Sequence, residues 1–336
     1  MGTMTNHNSS ISDVLIIGGG AAGLSAAQML GRSRRTVLVL DSGEPRNAPA
    51  QGVHGFLSRD GVSPGELLET GRAEARQYGV RTIHGEAVTA AGSVAEGFAV
   101  TAADGRVLRA RRLLITTGLV DELPGIPGLR ERWGRDVLHC PFCHGWEVRD
   151  QGIGVLGNGP WSVHQALLFR QWSTNITLFL NELVLPSAEE LEQLAARGIK
   201  VVAGAVESLR VEQDRLRGVA LAGGPEVAVD AVVAGAQVRA RLDAFAGLGL
   251  KPEPHPMGIG DFLPTDADGA TAVPGVWAAG NVTDMRAQVL ASAAAGAWAA
   301  VVINNHLMAE EMAADLSAYR QTLMLNDAGI RAGVSQ

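Results

Sequence analysis

The sequence predicts an α/β protein built on two parallel-sheet units. A buried-type strand, a glycine-rich turn, a helix and a second strand follow one another between residues 14 and 41, and the same order returns between residues 152 and 180. A third strand-to-helix element lies at the far end, over residues 276–303. Strands that alternate with helices in this way are typical of parallel sheets. We therefore expect two Rossmann-like dinucleotide-binding domains.

Composition and charge limit the class of protein. A chain of 336 residues, of which 46% are hydrophobic, suggests about two domains with sizeable cores. The net charge is −7 and basic residues form no stripe, which disfavours nucleic acid as a partner. The polar residues 1–12 do not resemble a signal peptide, and only two cysteines are present, so we expect a cytoplasmic protein. The apolar run 287–303 is rich in alanine and interrupted by Gln288 and Ser292, which predicts a buried helix and no membrane span.

The first unit carries a complete dinucleotide fingerprint. The strand over residues 14–17 runs into Gly18-Gly19-Gly20-Ala21-Ala22-Gly23, and a helix follows over residues 24–30. In GxGxxG the first glycine makes the turn, the second lets the backbone approach a pyrophosphate, and the third packs the helix on the strand. The next strand, 36–40, ends at an acid that can accept hydrogen bonds from a ribose. The predicted cofactor contacts are Gly18, Gly20, Ala21, Ala22, Gly23, Asp41 and Ser42.

The element near the end of the chain indicates which dinucleotide binds there. A strand over residues 276–279 enters a glycine turn, and a helix is predicted to start near residues 286–288. This element is similar to the one that closes the FAD site in flavoproteins with two dinucleotide domains. In that arrangement Gly280 and Asn281 meet the ribityl–phosphate region, and Gln288 and Val289 meet the flavin ring. The dipole at the helix start would stabilise negative charge on the reduced ring.

The second unit repeats the fingerprint in a degraded form. Gly157-Asn158-Gly159-Pro160-Trp161-Ser162 places a proline and a bulky indole where a phosphate would approach, and Ser162 replaces the last small residue. Sequence positions 171–196 contain no Arg or Lys that could pair with a 2′-phosphate. We therefore expect the fold of an NAD(P) domain here without firm NADPH binding.

Both cysteines lie in Cys140-Pro141-Phe142-Cys143-His144. Two thiols at this spacing can form a redox-active pair, in which a lowered pKa activates one of them. A zinc site would need a second ligand pair that the chain lacks, so no metal is expected. The stretch also matches the CxxCH signature of haem c attachment, which normally needs an exported chain. A redox dithiol is the favoured interpretation.

Taken together, these motifs resemble the thioredoxin-reductase group of flavoproteins over nearly the whole length. The resemblance rests on the first fingerprint, Thr116-Thr117-Gly118, the CxxC pair and Ala279-Gly280-Asn281. It implies an FAD domain formed by residues 1–120 and 243–336, split by an NAD(P)-like domain over residues 121–242 that carries the dithiol. The crossovers would lie near Val120 and Leu242. It also implies a homodimer.

Three departures from the reductases proper change the implied activity. His144 stands where they carry Asp, Leu180-Asn181 stands where they carry an Arg-rich NADPH motif, and Asn281 replaces an Asp. This combination is similar to the dithiol oxidases that close the disulfides of gliotoxin, holomycin and romidepsin. The resemblance implies a small-molecule dithiol substrate, FAD as cofactor, and molecular oxygen as acceptor with hydrogen peroxide as product.

The same resemblance implies roles for individual residues. Cys140 would receive the substrate thiolate, Cys143 would lie next to the flavin, His144 would be the base and His139 its helper. Further FAD contacts would come from Arg46, Asn47, His54, Val88, Thr117 and Gly118.

Alternative functions stay open at this point. One is an NAD(P)H-dependent reductase that serves a thioredoxin-like protein. Others are a haem-bearing electron carrier, a redox-sensing binding module, and a protein that sequesters a dithiol without turnover.

Overall fold

A computed structural model of the chain describes residues 11–333, and the surroundings of side chains up to residue 323. Most of the polar N-terminal stretch that disfavours a signal peptide lies outside the described residues, as do residues 334–336 at the end of the predicted FAD domain. In chain order the elements are β1 (Ser12–Ile17), α1 (Ala21–Arg32), β2 (Val37–Asp41), α2 (Pro64–Gln77), β3 (Arg81–His84), β4 (Ala87–Ser93), β5 (Gly97–Ala102), β6 (Val107–Ile115), β7 (Leu119–Glu122), β8 (Val137–Leu138), α3 (Pro141–His144), β9 (Ile153–Leu156), α4 (Ser162–Phe169), β10 (Ile176–Phe179), α5 (Ala188–Ala196), β11 (Lys200–Val202), β12 (Val206–Glu212), β13 (Arg215–Leu221), β14 (Glu226–Ala228), β15 (Ala231–Val233), β16 (Gln237–Ala240), a 3₁₀ helix (Asp243–Leu248), β17 (Glu253–Pro254), β18 (Asp261–Phe262), β19 (Val276–Ala278) and α6 (Val289–Gly333).

The first sheet confirms the first predicted unit and the closing strand. Five parallel strands lie in the order β3-β2-β1-β6-β19, and β5 and β4 extend β6 as an antiparallel pair. Alternate residues of β1 are buried on opposite faces, with Leu15 and Ile17 in one core and Val14 and Ile16 in the other. Burial on both faces explains why the strand is a continuous apolar run.

The second sheet confirms the second predicted unit. Its five parallel strands lie in the order β11-β10-β9-β15-β8, with α4 connecting β9 to β10. The antiparallel strands β12, β13 and β14 pack beside it and share its apolar core.

The chain passes between the two sheets twice. β7 and β16 pair antiparallel where it crosses, with Val120 opposite Arg239. This ribbon lies next to the crossovers expected near Val120 and Leu242. This short two-stranded ribbon therefore connects the two sheets.

The long helix α6 packs against α1 through small residues. A Cβ at Gly296 would lie 2.0 Å from the carbonyl oxygen of Ala22, so only glycine permits this approach. The helix begins at Val289, slightly later than predicted, because the Asn281 amide donates to the carbonyls of Asp284 and Ala287 and holds the preceding turn outside the helix. No helix within residues 11–333 combines the length and hydropathy needed to cross a membrane.

The carboxyl ends of the first sheet position the functional groups. The glycine turn follows β1, Asp41 ends β2, Thr116 follows β6, and Ala279 follows β19. Because these strands are parallel, all four segments meet at one edge of the sheet, where ligands of open α/β sheets bind.

Candidate active site

A cavity of about 1590 Å³ opens at this edge and extends to the second glycine turn. It is bounded by the strand ends of the first sheet, the dithiol helix α3 and the start of α6. The predicted site residues that line it are Gly18, Gly20, Ala21, Ala22, Asp41, Ser42, Arg46, Asn47, Thr117, Gly118, His139, Cys140, Cys143, His144, Gly280, Asn281, Gln288 and Val289.

The first glycine turn leaves room and donors for a phosphate. Gly18 adopts a φ of +106°, and a Cβ at Gly23 would lie 1.9 Å from the Gly18 carbonyl oxygen. A Cβ at Gly20, by contrast, would meet no described atom within 4 Å. Helix α1 has no side-chain cap among the described residues, so its first N–H groups are available to a ligand. The turn therefore fits the pyrophosphate of a dinucleotide.

Asp41 is fixed by the turn that it faces. The Gly19 N–H donates to its Oδ1 at 2.9 Å, and the Arg72 guanidinium lies 3.8 Å from its Oδ2. The carboxylate keeps acceptor capacity toward the cavity, as a ribose contact would need.

Arg46 is bound to the crossover strand. Its guanidinium donates to both carboxylate oxygens of Asp121, at 2.8 and 2.5 Å. The positive charge acts on the dithiol side of the cavity, where it lowers the pKa of His139 and opposes the rise in the pKa of Cys143. The structure thus gives Arg46 a partner that sequence analysis missed.

The closing segment brings the start of α6 to the cavity. Gly280 has a φ of +83°, and a Cβ there would lie 2.9 Å from that of Ala22 on α1. On the opposite side the Thr117 hydroxyl donates to the Arg241 carbonyl at 2.8 Å and joins β6 to the crossover region. Gln288 and Val289 therefore face the same space as the first glycine turn.

The two cysteine sulfurs lie 2.7 Å apart at the start of α3. A hydrogen bond from the Cys143 thiol lowers the pKa of Cys140 to about 7; backbone N–H bonds from Cys143 and Phe142 and the Gln288 side chain add to this, against the effect of burial. The pKa of Cys143 is raised, because its proton is held by the Cys140 sulfur and because the thiol is partly buried. Cys140 is thus the thiolate of the reduced pair.

The histidines that flank the pair differ in environment. Neither ring nitrogen of His144 has a hydrogen-bond partner among the described residues, and burial lowers its pKa although the Glu147 charge opposes the shift. Part of the His139 surface faces the cavity, but the protein packed around the rest, together with Arg46, lowers its pKa as well. Both imidazoles are therefore neutral at neutral pH and able to accept a proton.

Three predicted residues do not line the cavity. Gly23 acts through packing, as expected for the third glycine. His54 lies between two carboxylates, each 3.4 Å from one ring nitrogen: Asp60 in its own loop and Glu147 beyond the dithiol helix. Val88 lies on β4 with 51% of its surface exposed, and its neighbours Glu86 and Ala87 contact the cavity instead.

The second glycine turn is closed by its own hydrogen bonds. The Gly157 N–H donates to the Phe179 carbonyl, the Asn158 N–H to the Ser162 hydroxyl, and the Ser162 N–H to the Gly159 carbonyl. The Asn158 side chain both donates to and accepts from the backbone of Gly235. Pro160 has no N–H. The N–H groups of Gly18 and Gly19 are bonded in the same way in the first turn, so the second turn differs by lacking free donors at Pro160 and Ser162.

Other cavity residues were not found from the sequence. They include, beyond the second turn, Gln165, Leu168 and Met257. No motif marks these positions, because their neighbours in space are distant in sequence. Within residues 11–333, no group of three or more His, Cys, Asp or Glu side chains is placed to hold a metal ion.

Known proteins resemble this chain over most of its length. The profile of the pyridine nucleotide-disulphide oxidoreductase family matches residues 12–300. Thioredoxin reductase sirT of Leptosphaeria maculans is 33% identical over 322 residues, which cover 91% of this chain and 97% of that protein. A probable thioredoxin reductase of Arthroderma benhamiae is 40% identical over 151 residues, which cover 43% of this chain and 37% of that protein. The crystal structure of HlmI superposes with a TM-score of 0.88 at 46% identity, over 96% of this chain and 100% of that one.

Proposed function

The chain belongs to the pyridine nucleotide-disulphide oxidoreductase family, and from that premise we propose that it is a dithiol oxidase. It closes an intramolecular disulfide in a small-molecule natural product and passes the two electrons to dioxygen. The chain is a thioredoxin-reductase-like thiol–disulfide oxidoreductase, and its cofactor is FAD.

The observation that carries the proposal is the closed second glycine turn. An enzyme that takes electrons from NADPH must bind its phosphates. Here Pro160, at the position of Ala21, has no N–H, and the Ser162 N–H, at the position of Gly23, is already bonded to the Gly159 carbonyl. The dithiol lines the cavity that both turns border, and the first turn keeps the N–H groups of Ala21, Ala22 and Gly23 free of partners among the described residues. This contrast supports entry of electrons through a thiol substrate.

FAD fits the first turn and the closing segment. Gly20, Ala21 and Ala22 would hold its pyrophosphate and Asp41 a ribose, while Gln288 at the start of α6 would lie near the flavin end. When bound, FAD would accept the two electrons of the reduced dithiol and pass them on to dioxygen, giving hydrogen peroxide.

The cysteines carry out two displacements. A substrate thiolate attacks the Cys140 sulfur of the Cys140–Cys143 disulfide, so that a mixed disulfide forms and Cys143 leaves as a thiolate. The second substrate thiolate attacks the substrate sulfur of that mixed disulfide, and Cys140 leaves as the product closes its own disulfide. A pKa of about 7 makes Cys140 a good leaving group. In total, one dithiol and one dioxygen give one disulfide and one hydrogen peroxide.

The histidines accept the two protons of the substrate thiols. The substrate thiols must lose them to attack, and both are finally carried by the peroxide. His144 follows Cys143 directly in α3, is neutral at neutral pH and has both ring nitrogens free of protein partners among the described residues. It is the base in this proposal, and His139, on the other side of Cys140, assists.

Anaerobic mixing of the purified flavoprotein with dithiothreitol or NADPH tests the proposal. We expect dithiothreitol to bleach the flavin absorbance rapidly and NADPH to leave it unchanged. Admission of oxygen should then restore the absorbance and release one peroxide for each dithiol oxidised. Bleaching by NADPH would defeat the proposal, and binding of dithiols without peroxide release would indicate sequestration.

His144→Ala tests the base. General acid–base catalysis contributes about 100-fold or more, so the rate of flavin bleaching by dithiothreitol should fall by about that factor. His306→Ala, an exposed histidine on α6 that does not line the cavity, is the matched control. An unchanged rate across pH in His144→Ala with FAD retained would remove the assignment.

A second candidate is an NAD(P)H-dependent disulfide reductase. The complete parallel sheet β11-β10-β9-β15-β8 favours it, because the strand–helix–strand framework of a nucleotide domain is retained. NADPH bleaching in the same anaerobic experiment would support this candidate.

Domain boundaries and assembly form part of the proposal. We place an FAD domain at residues 1–120 and 243–336 and an inserted NAD(P)-like domain at residues 121–242; the ribbon of β7 and β16 near both boundaries supports this division. We further propose a homodimer in the cytoplasm, which sedimentation of the purified protein and fractionation of cells would test.

A further inference from the structure

Helix α4, which follows the second glycine turn, presents one face to the cavity. Trp161 immediately before the helix and His164, Gln165 and Leu168 within it all line that space. Their spacing of three, four and seven residues places them on one side of a helix. We call this surface the α4 wall.

The indole of Trp161 is held in a fixed orientation. Its Nε1 donates to the Met257 carbonyl at 3.3 Å, and the His164 ring meets it edge-on at 6.0 Å. The side chain nevertheless keeps 41% of its surface exposed. A large aromatic surface that is anchored but uncovered is typical of a binding site.

The α4 wall is continuous with the dithiol. Phe142, between the two cysteines, lines the same cavity and is 63% exposed. Its ring meets Trp172 edge-on at 5.7 Å, and its exposed part borders the same cavity as the α4 wall. A molecule whose sulfurs reach Cys140 can therefore extend along Phe142 onto the α4 wall.

We propose that the α4 wall binds the scaffold of the dithiol substrate, and that Trp161 and Leu168 determine its specificity. This inference rests on the proposed function. The four wall residues include no Asp, Glu, Lys or Arg, so the subsite selects an uncharged scaffold with an aromatic or aliphatic face. The degraded second nucleotide site has thus become part of the substrate site.

Two dithiols that differ only in scaffold test the inference. Anaerobic flavin reduction is measured with dithiothreitol, which has no ring, and with benzene-1,2-dimethanethiol. Loss of aromatic packing in Trp161→Ala should raise the concentration of the benzene compound that gives half-maximal rate about tenfold. The rise for dithiothreitol should be at most about threefold, since the compound lacks the surface that the indole would cover.

Three companion variants separate binding from folding. In Trp161→Phe the concentration of benzene-1,2-dimethanethiol that gives half-maximal rate should return most of the way to the wild-type value. In Leu168→Ala, whose side chain does not bond to Met257, that concentration should rise as it does in Trp161→Ala. Trp298→Ala removes an exposed indole on α6 and should change neither value. Calorimetry with S-methylated benzene-1,2-dimethanethiol, which cannot react, should show the same loss of affinity in Trp161→Ala.

Equal losses on both dithiols, or no loss on either, would overturn the inference while leaving the oxidase proposal intact. Failure of the wild-type protein to be reduced by any dithiol would instead overturn the oxidase proposal, and this inference with it.

Discussion

The two glycine-rich turns occupy equivalent places after the first strand of each sheet, yet only one is open. In the first turn the N–H groups of Ala21, Ala22 and Gly23 have no hydrogen-bond partner among the described residues. In the second turn Pro160 has no N–H and the Ser162 N–H donates to the Gly159 carbonyl. The buried Ser162 hydroxyl accepts from the Asn158 N–H and shares its one proton between the carbonyls of Leu156 and Gly159. The strand–turn–helix path of the backbone is the same in both turns, but the number of free backbone N–H groups is not.

This difference shows that a strand–turn–helix framework does not by itself specify a phosphate ligand. Binding needs backbone donors that have no better partner within the protein. In the second turn a proline without an N–H and one backbone bond, from the Ser162 N–H to the Gly159 carbonyl, remove two of them. The framework then remains as a support for other surfaces, of which the α4 wall is an example.

The largest expected effect comes from closing the open turn. A Cβ in Gly23→Ala would lie 1.9 Å from the Gly18 carbonyl, so the turn must distort. Overpacking of this kind costs about 3 kcal/mol, which corresponds to about a 100-fold loss of FAD affinity. Titration of the apoprotein with FAD, followed by flavin fluorescence, measures it.

The matched control lies in the other turn. A Cβ at Gly159 would meet no described atom within 4 Å, so Gly159→Ala should bind FAD as the wild type does. Circular dichroism checks that both variants fold. Equal FAD affinity in the two variants would contradict the contrast between the turns.

Sequence patterns were sufficient to predict the fold and to name many of the residues that line the cavity. The strands, the first turn and the dithiol are local features, because apolar runs, glycine spacing and cysteine spacing are all contained in short segments. The link between the first turn and the distant strand β19 was implied by the resemblance to flavoproteins, and the pairing of β19 with β6 places both at carboxyl ends of one parallel sheet.

Side-chain partners were beyond the reach of sequence patterns. Asn158 bonds to Gly235, 77 positions away, and Trp161 bonds to Met257, 96 positions away. Arg46 was predicted only as a cofactor contact, but it also pairs with Asp121. These contacts depend on how distant segments meet in the folded chain. Val88 does not line the cavity for a different reason: its side chain points outward from β4.

An intermediate effect is expected from loosening the closed turn. Ser162→Ala removes three hydrogen bonds at a side chain that is only 1% exposed, and it leaves buried polar groups unpaired. The free energy of unfolding should fall by about 2 kcal/mol, as measured in urea. Ser93→Ala, which removes one bond at an exposed turn, should stay within about 0.5 kcal/mol. Flavin bleaching by NADPH should remain absent, because no cation is added; its appearance would mean that this serine alone blocks the nucleotide.

The smallest expected effect links the dithiol to the open side of the cavity. The pKa of Cys140 is lowered to about 7 mainly by the Cys143 thiol, and the Gln288 side chain, at the start of α6, adds to this effect. In Gln288→Leu the thiolate loses about 1 kcal/mol of stabilisation, so its pKa should rise by about 0.7 units. The rate of iodoacetamide alkylation of the reduced enzyme should then reach half its maximum at a correspondingly higher pH, while exposed Gln193→Leu leaves the midpoint in place. A midpoint that stays near pH 7 in Gln288→Leu would show that the acidity of Cys140 is set within α3 alone, and that the open turn and the dithiol are neighbours without being coupled.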